Sequence, residues 1–247
     1  MSLTYEICID SVAGAIAAEK AGAHRVELCA ALFEGGLTPS LGTIRAALAA
    51  VSSIRVHVIV RPRGGDFIFD AHEIAAMEHD VALLREAGVH GVVVGALTPD
   101  GDIDEAVTGR LVAAAGGLSV TFHRAFDMTA DPFAALETLV DLGVDRVLTS
   151  GHDVSVLEGA PLIARLVEQA GDRIAVMPGG GLNARNAARV VAATGAREFH
   201  FAALSEEASP AVFRNPYPFM GGELRRPEYQ RLVTTTGGIA SVIRAAG

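Results

Sequence analysis

AGAHRVEL at residues 21–28 returns three times in altered form, as AGVHGVVV at 87–94, LGVDRVLT at 142–149 and TGAREFHF at 194–201. Each copy has a glycine, one small or branched residue, a polar residue and then a mostly apolar run. Glycine adopts the left-handed backbone that ends a helix without a Cβ clash. The phrase therefore reads as a helix that stops at Gly22, Gly88, Gly143 or Gly195 and passes at once into a strand. Helix starts are marked too. Asp10-Ser11, Asp70, Asp102, Asp131-Pro132 and Asn183 stand before Ala/Leu-rich amphipathic runs, where an N-cap is wanted.

Working outward, short apolar runs lie at about 4–9, 25–30, 54–61, 91–96, 118–123, 144–149, 173–177 and 197–202. Several are apolar on both faces, as parallel strands covered by helices should be. Eight strand-helix units in 247 residues match a single-domain α/β TIM-type (β/α)8 barrel over 1–247. A doubly wound sheet would want a Gly-rich dinucleotide turn after the first strand, but that strand ends in Cys-Ile-Asp-Ser. Residues 208–228 are a Pro/Gly-rich interruption. The stretch 203–228 is expected to be a long loop after the eighth strand, covering the mouth or forming a subunit contact.

Half of the residues are hydrophobic and the net charge is -9, with no long basic run. A nucleic-acid partner is therefore not expected. No apolar run is long enough for a bilayer, and MSLTYEICID lacks the basic flank and apolar core of a secretory leader. With only two cysteines, the chain reads as cytoplasmic, with free thiols and no membrane partner.

In a barrel the C-terminal strand ends converge on one site. Here they carry Glu6 and Cys8, Glu27 and Cys29, Arg61 and Arg63, His123 and Asp127, the PGGGLN turn of Gly179, Gly180 and Gly181, and His200. Residues two apart on a strand share a face. A glutamate is costly in the apolar shell between sheet and helices, so Glu6 and Glu27 are expected inside the barrel, with Cys8 and Cys29 on the same face. Strands about 4.8 Å apart could bring the two thiols within reach of one metal ion, and barrel stagger could equally separate them. Free cysteine is also among the most buried residue types, a small hydrophobe needing no metal. Arg61, Arg63 and the three glycines suit a phosphate or carboxylate, with Glu6 in the same ligand-binding group. Glu27, His123 and Asp127 are the candidate general acid and base groups. Lys20 is the only lysine and falls on the first helix, which excludes Schiff-base chemistry in the barrel. No organic cofactor motif is evident.

The phrases YEICIDS, RVELCAALFEGGLTPS, RPRGGDF, GALTPDGDID, TFHRAFDM, LTSG and MPGGG occur in order from residue 5 to about 201. On these phrases the chain resembles the CutC, or copper homeostasis protein, family. The resemblance implies a TIM-type barrel, a cytoplasmic location, a homo-oligomer (dimer or tetramer) and a link to copper. It also implies Cys8 and Cys29 as Cu(I) ligands. A copper site on these cysteines would be completed by His123 or a small exogenous ligand. The competing expectation is a barrel enzyme acting on a small phosphate- or carboxylate-bearing metabolite, with copper effects indirect. A barrel that only scaffolds partners ranks last, because it would not gather acids and arginines at the strand ends.

Overall fold

The computed structural model describes residues 3–218 and 230–247. Eight parallel strands make the barrel: β1 (Thr4–Ile9), β2 (Arg25–Leu28), β3 (Arg55–Ile59), β4 (Gly91–Val94), β5 (Ser119–Phe122), β6 (Arg146–Thr149), β7 (Ala175–Pro178) and β8 (Glu198–Phe201). They are hydrogen-bonded in the order β7-β6-β5-β4-β3-β2-β1-β8, and a parallel bridge between Gly179 and His200 draws β7 to β8. The ring is α1 (Val12–Lys20), α2 (Leu41–Ala50), α3 (Ala71–Ala87), α4 (Glu105–Ala115), α5 (Pro132–Asp141), α6 (Ala160–Ala170), α7 (Ala187–Thr194) and α8 (Thr236–Ala246). The chain is a TIM barrel, as the repeated phrase predicts.

Strand alternation separates two interiors. Ile7, Ile9, Val26, Leu28, Val56, Val58, Phe122, Phe199 and Phe201 belong to the main core cluster between strands and helices. Full burial of each such side chain contributes about 1.5–3 kcal/mol. The alternate positions, Glu6, Arg25, Glu27, His57, Thr121 and His200, are polar and also buried. The barrel lumen is therefore a polar core enclosed by an apolar one.

The caps follow simple chemistry. Ser11 accepts from Gly14 N, Asp70 forms a capping box with Glu73, and Asp131 accepts from Phe133 and Ala134 N ahead of Pro132. Two starts differ from expectation. Asp104, not Asp102, caps α4 by accepting from Val107 N, because Ile103 is first held in a bridge to Leu97. Asn183 opens a turn closed by Asn186, and α7 begins only at Ala187.

The stretch expected as one long loop after β8 also differs. β9 (Leu204–Ala208) pairs antiparallel with β10 (Gln230–Thr234). Residues 219–228 of that stretch lie outside the described residues. Among the described residues, no helix is long and apolar enough to cross a membrane.

Candidate metal centre

Strand register assembles the site. Across β1 and β2, Cys8 lies opposite Glu27 and Glu6 opposite Arg25; across β1 and β8, Glu6 lies opposite His200. Cys29 follows β2 one step nearer the mouth, its N–H bonded to Ile9 O at 2.8 Å. The stagger brings the two thiols together, with Sγ to Sγ at 3.9 Å. The His200 ring lies on the Cys8 side of this pair: Nδ1 is 2.7 Å from Glu6 Oε1, and Nε2 is 3.6 Å from Glu27 Oε2. Donor atoms of Cys8, Glu27 and His200 all lie within 4.8 Å of one another. Cys8 is half-buried, and Cys29 sits against Ile59 and Val93.

Beneath lies an ion network. Arg25 pairs with Glu6, donates to Glu198 at 2.7 Å and touches Met177 Sδ at 3.2 Å. Arg146 pairs with Glu198 at 3.0 Å and donates to Ser119 Oγ at 2.7 Å. Above lies a roof. After Cys29 the chain bridges Ala30 to Leu37, turns through Ala31 in the left-handed region and forms a short 3-10 helix over Leu32–Glu34. Gly36 then passes so close that an added Cβ would stand 3.2 Å from Cys29 Sγ. Arg61 pins this roof, donating to Glu34 O at 2.7 Å and Gly36 O at 3.3 Å, and ties it to Gly65 O at 2.8 Å.

Proton positions follow from these contacts. Burial pushes the Glu6 carboxyl up, but the Arg25 guanidinium and His200 outweigh it and hold Glu6 well below the usual carboxylate range. The Cys29 hydrogen bond pulls the Cys8 thiol down to about 6, with His200 adding to the effect against burial. The same hydrogen bond, together with burial, pushes Cys29 well above the usual thiol range. Burial and the neighbouring Cys8 thiolate raise Glu27. Burial opposes charge on His200, but hydrogen bonds to Cys8 and Glu6 and the nearby carboxylates raise it well above an ordinary imidazole. The centre thus favours a thiolate on Cys8 beside a charged His200 ring, and disfavours ionisation of Cys29 and Glu27.

The other candidate residues lie elsewhere on the mouth. Arg63 is engaged by Glu73 at 2.6 Å, Asp66 Oδ1 at 3.0 Å and Ile68 O at 2.7 Å. Asp127 accepts from Ser150 N at 3.0 Å, His152 N at 3.2 Å and Arg124 Nε at 2.7 Å, and so organises the turn after β6. Gly180 packs on that turn, where an added Cβ would stand 3.1 Å from Ser150 Cβ. A Cβ on Gly179 would meet Leu148 Cδ1 at 2.4 Å, so close packing at the β7–β8 seam requires glycine there. Gly181 O accepts from Asn183 and Asn186 side chains, both at 2.9 Å.

His123 stacks near Phe67 at 5.0 Å between ring centres, and its Nδ1 accepts from Ala125 N at 3.1 Å. It is not part of the Cys8, Glu27 and His200 group. The imidazole beside Cys8 is His200, which the sequence places on strand 8 without a role. The signal is present in EFHF: Glu198 and His200 share a face, and closure sets β8 beside β1.

Burial, followed by the Arg61 charge, pushes His123 down to about 3, so it is neutral at neutral pH. Its folded value lies below the unfolded 6.5. The stability tied to this difference is full above pH 6.5 and is lost as pH falls toward 3. Linkage gives a loss of about 2 kcal/mol by about pH 5. His123→Gln should accordingly show a flatter fall of Tm across this window than the parent. Parallel Tm curves would contradict a buried neutral imidazole.

Comparisons with known proteins agree with this architecture. A family model described as the CutC family matches residues 3–205. A family protein CutC of Mesorhizobium japonicum is 54% identical over 241 residues, covering 98% of this chain and 93% of the relative. The human copper homeostasis protein cutC homolog is 52% identical over 229 residues, covering 93% of this chain and 84% of the relative. The solved structure of a CutC protein from Streptococcus agalactiae superposes with a TM-score of 0.77 at 35% identity, over 81% of this chain and 98% of that one. Phosphoribosylanthranilate isomerase of Thermotoga maritima superposes with a TM-score of 0.58 at 12% identity, over 99% of this chain and 98% of that one, a likeness of fold alone.

Proposed function

The chain belongs to the CutC family, and from that premise we propose that it is a copper homeostasis protein that binds Cu(I) as cargo through Cys8 and Cys29. The observation that carries this reading is the thiol pair at 3.9 Å with an imidazole beside it. Metal–sulfur bonds of about 2.3 Å, at angles of about 109–120°, put two sulfurs about 3.8–4.0 Å apart. The thiol spacing therefore suits one ion with little movement. Thiolates are soft donors and select Cu(I) among cellular metals.

His200 is the third donor in this reading. Its Nδ1 is held by Glu6, which leaves Nε2 toward the thiols, the carboxylate–histidine arrangement that orients a metal-binding ring. Binding displaces the protons on His200 and Cys29, so affinity rises with pH. A reducing, cytoplasmic location keeps both thiols available. The half-buried Cys8 is the point of entry, and the Glu34–Gly36 roof limits access to Cys29.

X-ray absorption at the copper edge of the reduced, Cu(I)-loaded protein tests the donor set. Two sulfur neighbours and one nitrogen or oxygen neighbour are expected. A shell of nitrogen and oxygen alone would overturn the assignment.

A further inference from the structure

The opposite end of the barrel holds a polar cavity, about 490 Å³, lined in part by His24, Arg25, Arg55, Arg146 and Glu198. Its size falls within the range of small-molecule sites. The N-terminal end of a barrel ordinarily serves stability, which paired arginines would do. Two of the cavity's arginines are paired: Arg25 with Glu6 and Glu198, and Arg146 with Glu198. Arg55 has no ion pair among the described residues, and its side chain is exposed. Of the three guanidinium groups on the cavity, Arg55 is thus the one with no carboxylate partner.

Two further acids of this end are already committed: Asp145 Oδ2 accepts from Val120 N at 2.7 Å and Ser119 Oγ at 3.2 Å, and Glu19 serves a loop. Glu19 Oε1 accepts from Ser52, Ser53 and Ile54 N at 2.8, 2.6 and 3.2 Å, and so shapes the loop before β3. A second donor is fixed close by. Tyr5 N–H donates to His24 Nδ1 at 3.2 Å, which puts the proton of the neutral ring on Nε2. Arg55 and His24 are therefore an unspent guanidinium fork and an unspent N–H on one cavity. Beside them Arg146 is held by Glu198 and Ser119.

We propose that this cavity binds a small anion through one carboxylate or phosphate group, gripped by Arg55 with His24 beside it. A guanidinium fork matches either group in bidentate fashion. The site is separate from the thiol centre and does not depend on copper.

Calorimetric titration of the full, reduced protein with inorganic phosphate and, separately, with succinate tests this and tells the two chemistries apart. Saturable binding of at least one is expected, weakened about tenfold or more in Arg55→Ala and partly restored in Arg55→Lys. Arg55 makes no ion pair, so Arg55→Ala should keep the parent Tm, which verifies that the variant folds. No saturable binding of either anion, or equal affinity in parent and Arg55→Ala, would overturn the proposal.

Discussion

Replacing Cys8 with serine is expected to lower Cu(I) affinity by more than about a hundredfold while leaving Tm nearly unchanged. Losing a partner that only orients a ligand typically costs 10–100-fold, and losing a ligating thiolate costs more. Serine keeps the shape and can still bond to His200, but its hydroxyl is a hard, protonated donor that suits Cu(I) poorly. Cys8 is half-buried with Glu27 and His200 beside it, so a serine hydroxyl there has polar partners. Cys29→Ser should lose as much affinity, with a different stability signature. Its hydroxyl would sit against Ile59 and Val93, at a cost of about 1–3 kcal/mol. Thermal melts and Cu(I) competition on both variants separate the two effects. Lower stability with unchanged affinity in either variant would make that thiol a core filler.

Arg25→Ala should be the most damaging single change in the lumen, costing about 3–5 kcal/mol. Arg25 is 5% exposed and balances Glu6, which is 1% exposed, and Glu198. Removing it leaves the buried Glu6 with His200 alone opposite it and Glu198 with Arg146 alone. In a chain of this size that is a fall in Tm of roughly 6–20 °C. The pH dependence carries a sign. Arg25 holds the Glu6 carboxyl below its unfolded value of 4.5, so its contribution is present above pH 4.5 and is lost as pH falls. The gap between parent and Arg25→Ala should therefore narrow in acid. The same change frees Glu6 from the network that positions His200, linking the ion floor to the thiol pair above it. A full-sized deficit that persists unchanged at low pH would contradict this origin.

The barrel was legible because its punctuation is local. A glycine that stops a helix, followed at once by a strand, can be recognised within eight residues, and the phrase occurs four times. The inward glutamates were legible for a different local reason: strand alternation offers a carboxylate only two faces, and the helix-covered face excludes it. What stayed hidden depends on long-range register. His123 and His200 are both inward histidines near strand ends, but only barrel closure, with Glu6 opposite His200, decides which ring meets the thiols. The thiol separation likewise depends on the stagger between β1 and β2. The partners of Arg61 and Arg63, loop carbonyls of Glu34, Gly36, Gly65 and Ile68 and the carboxylates of Asp66 and Glu73, were not legible either, because these loops carry no pattern. β9 was invisible for a related reason: LSEEA is exposed throughout, so burial writes no alternation into it.

Cu(I) binding by the two thiols is tested most directly by anaerobic competition titration of the reduced parent beside the Cys8→Ser/Cys29→Ser double variant. One tightly bound Cu(I) per chain in the parent, lost in the variant, is the expected result. Equally weak binding in both would contradict a thiolate copper centre in this barrel.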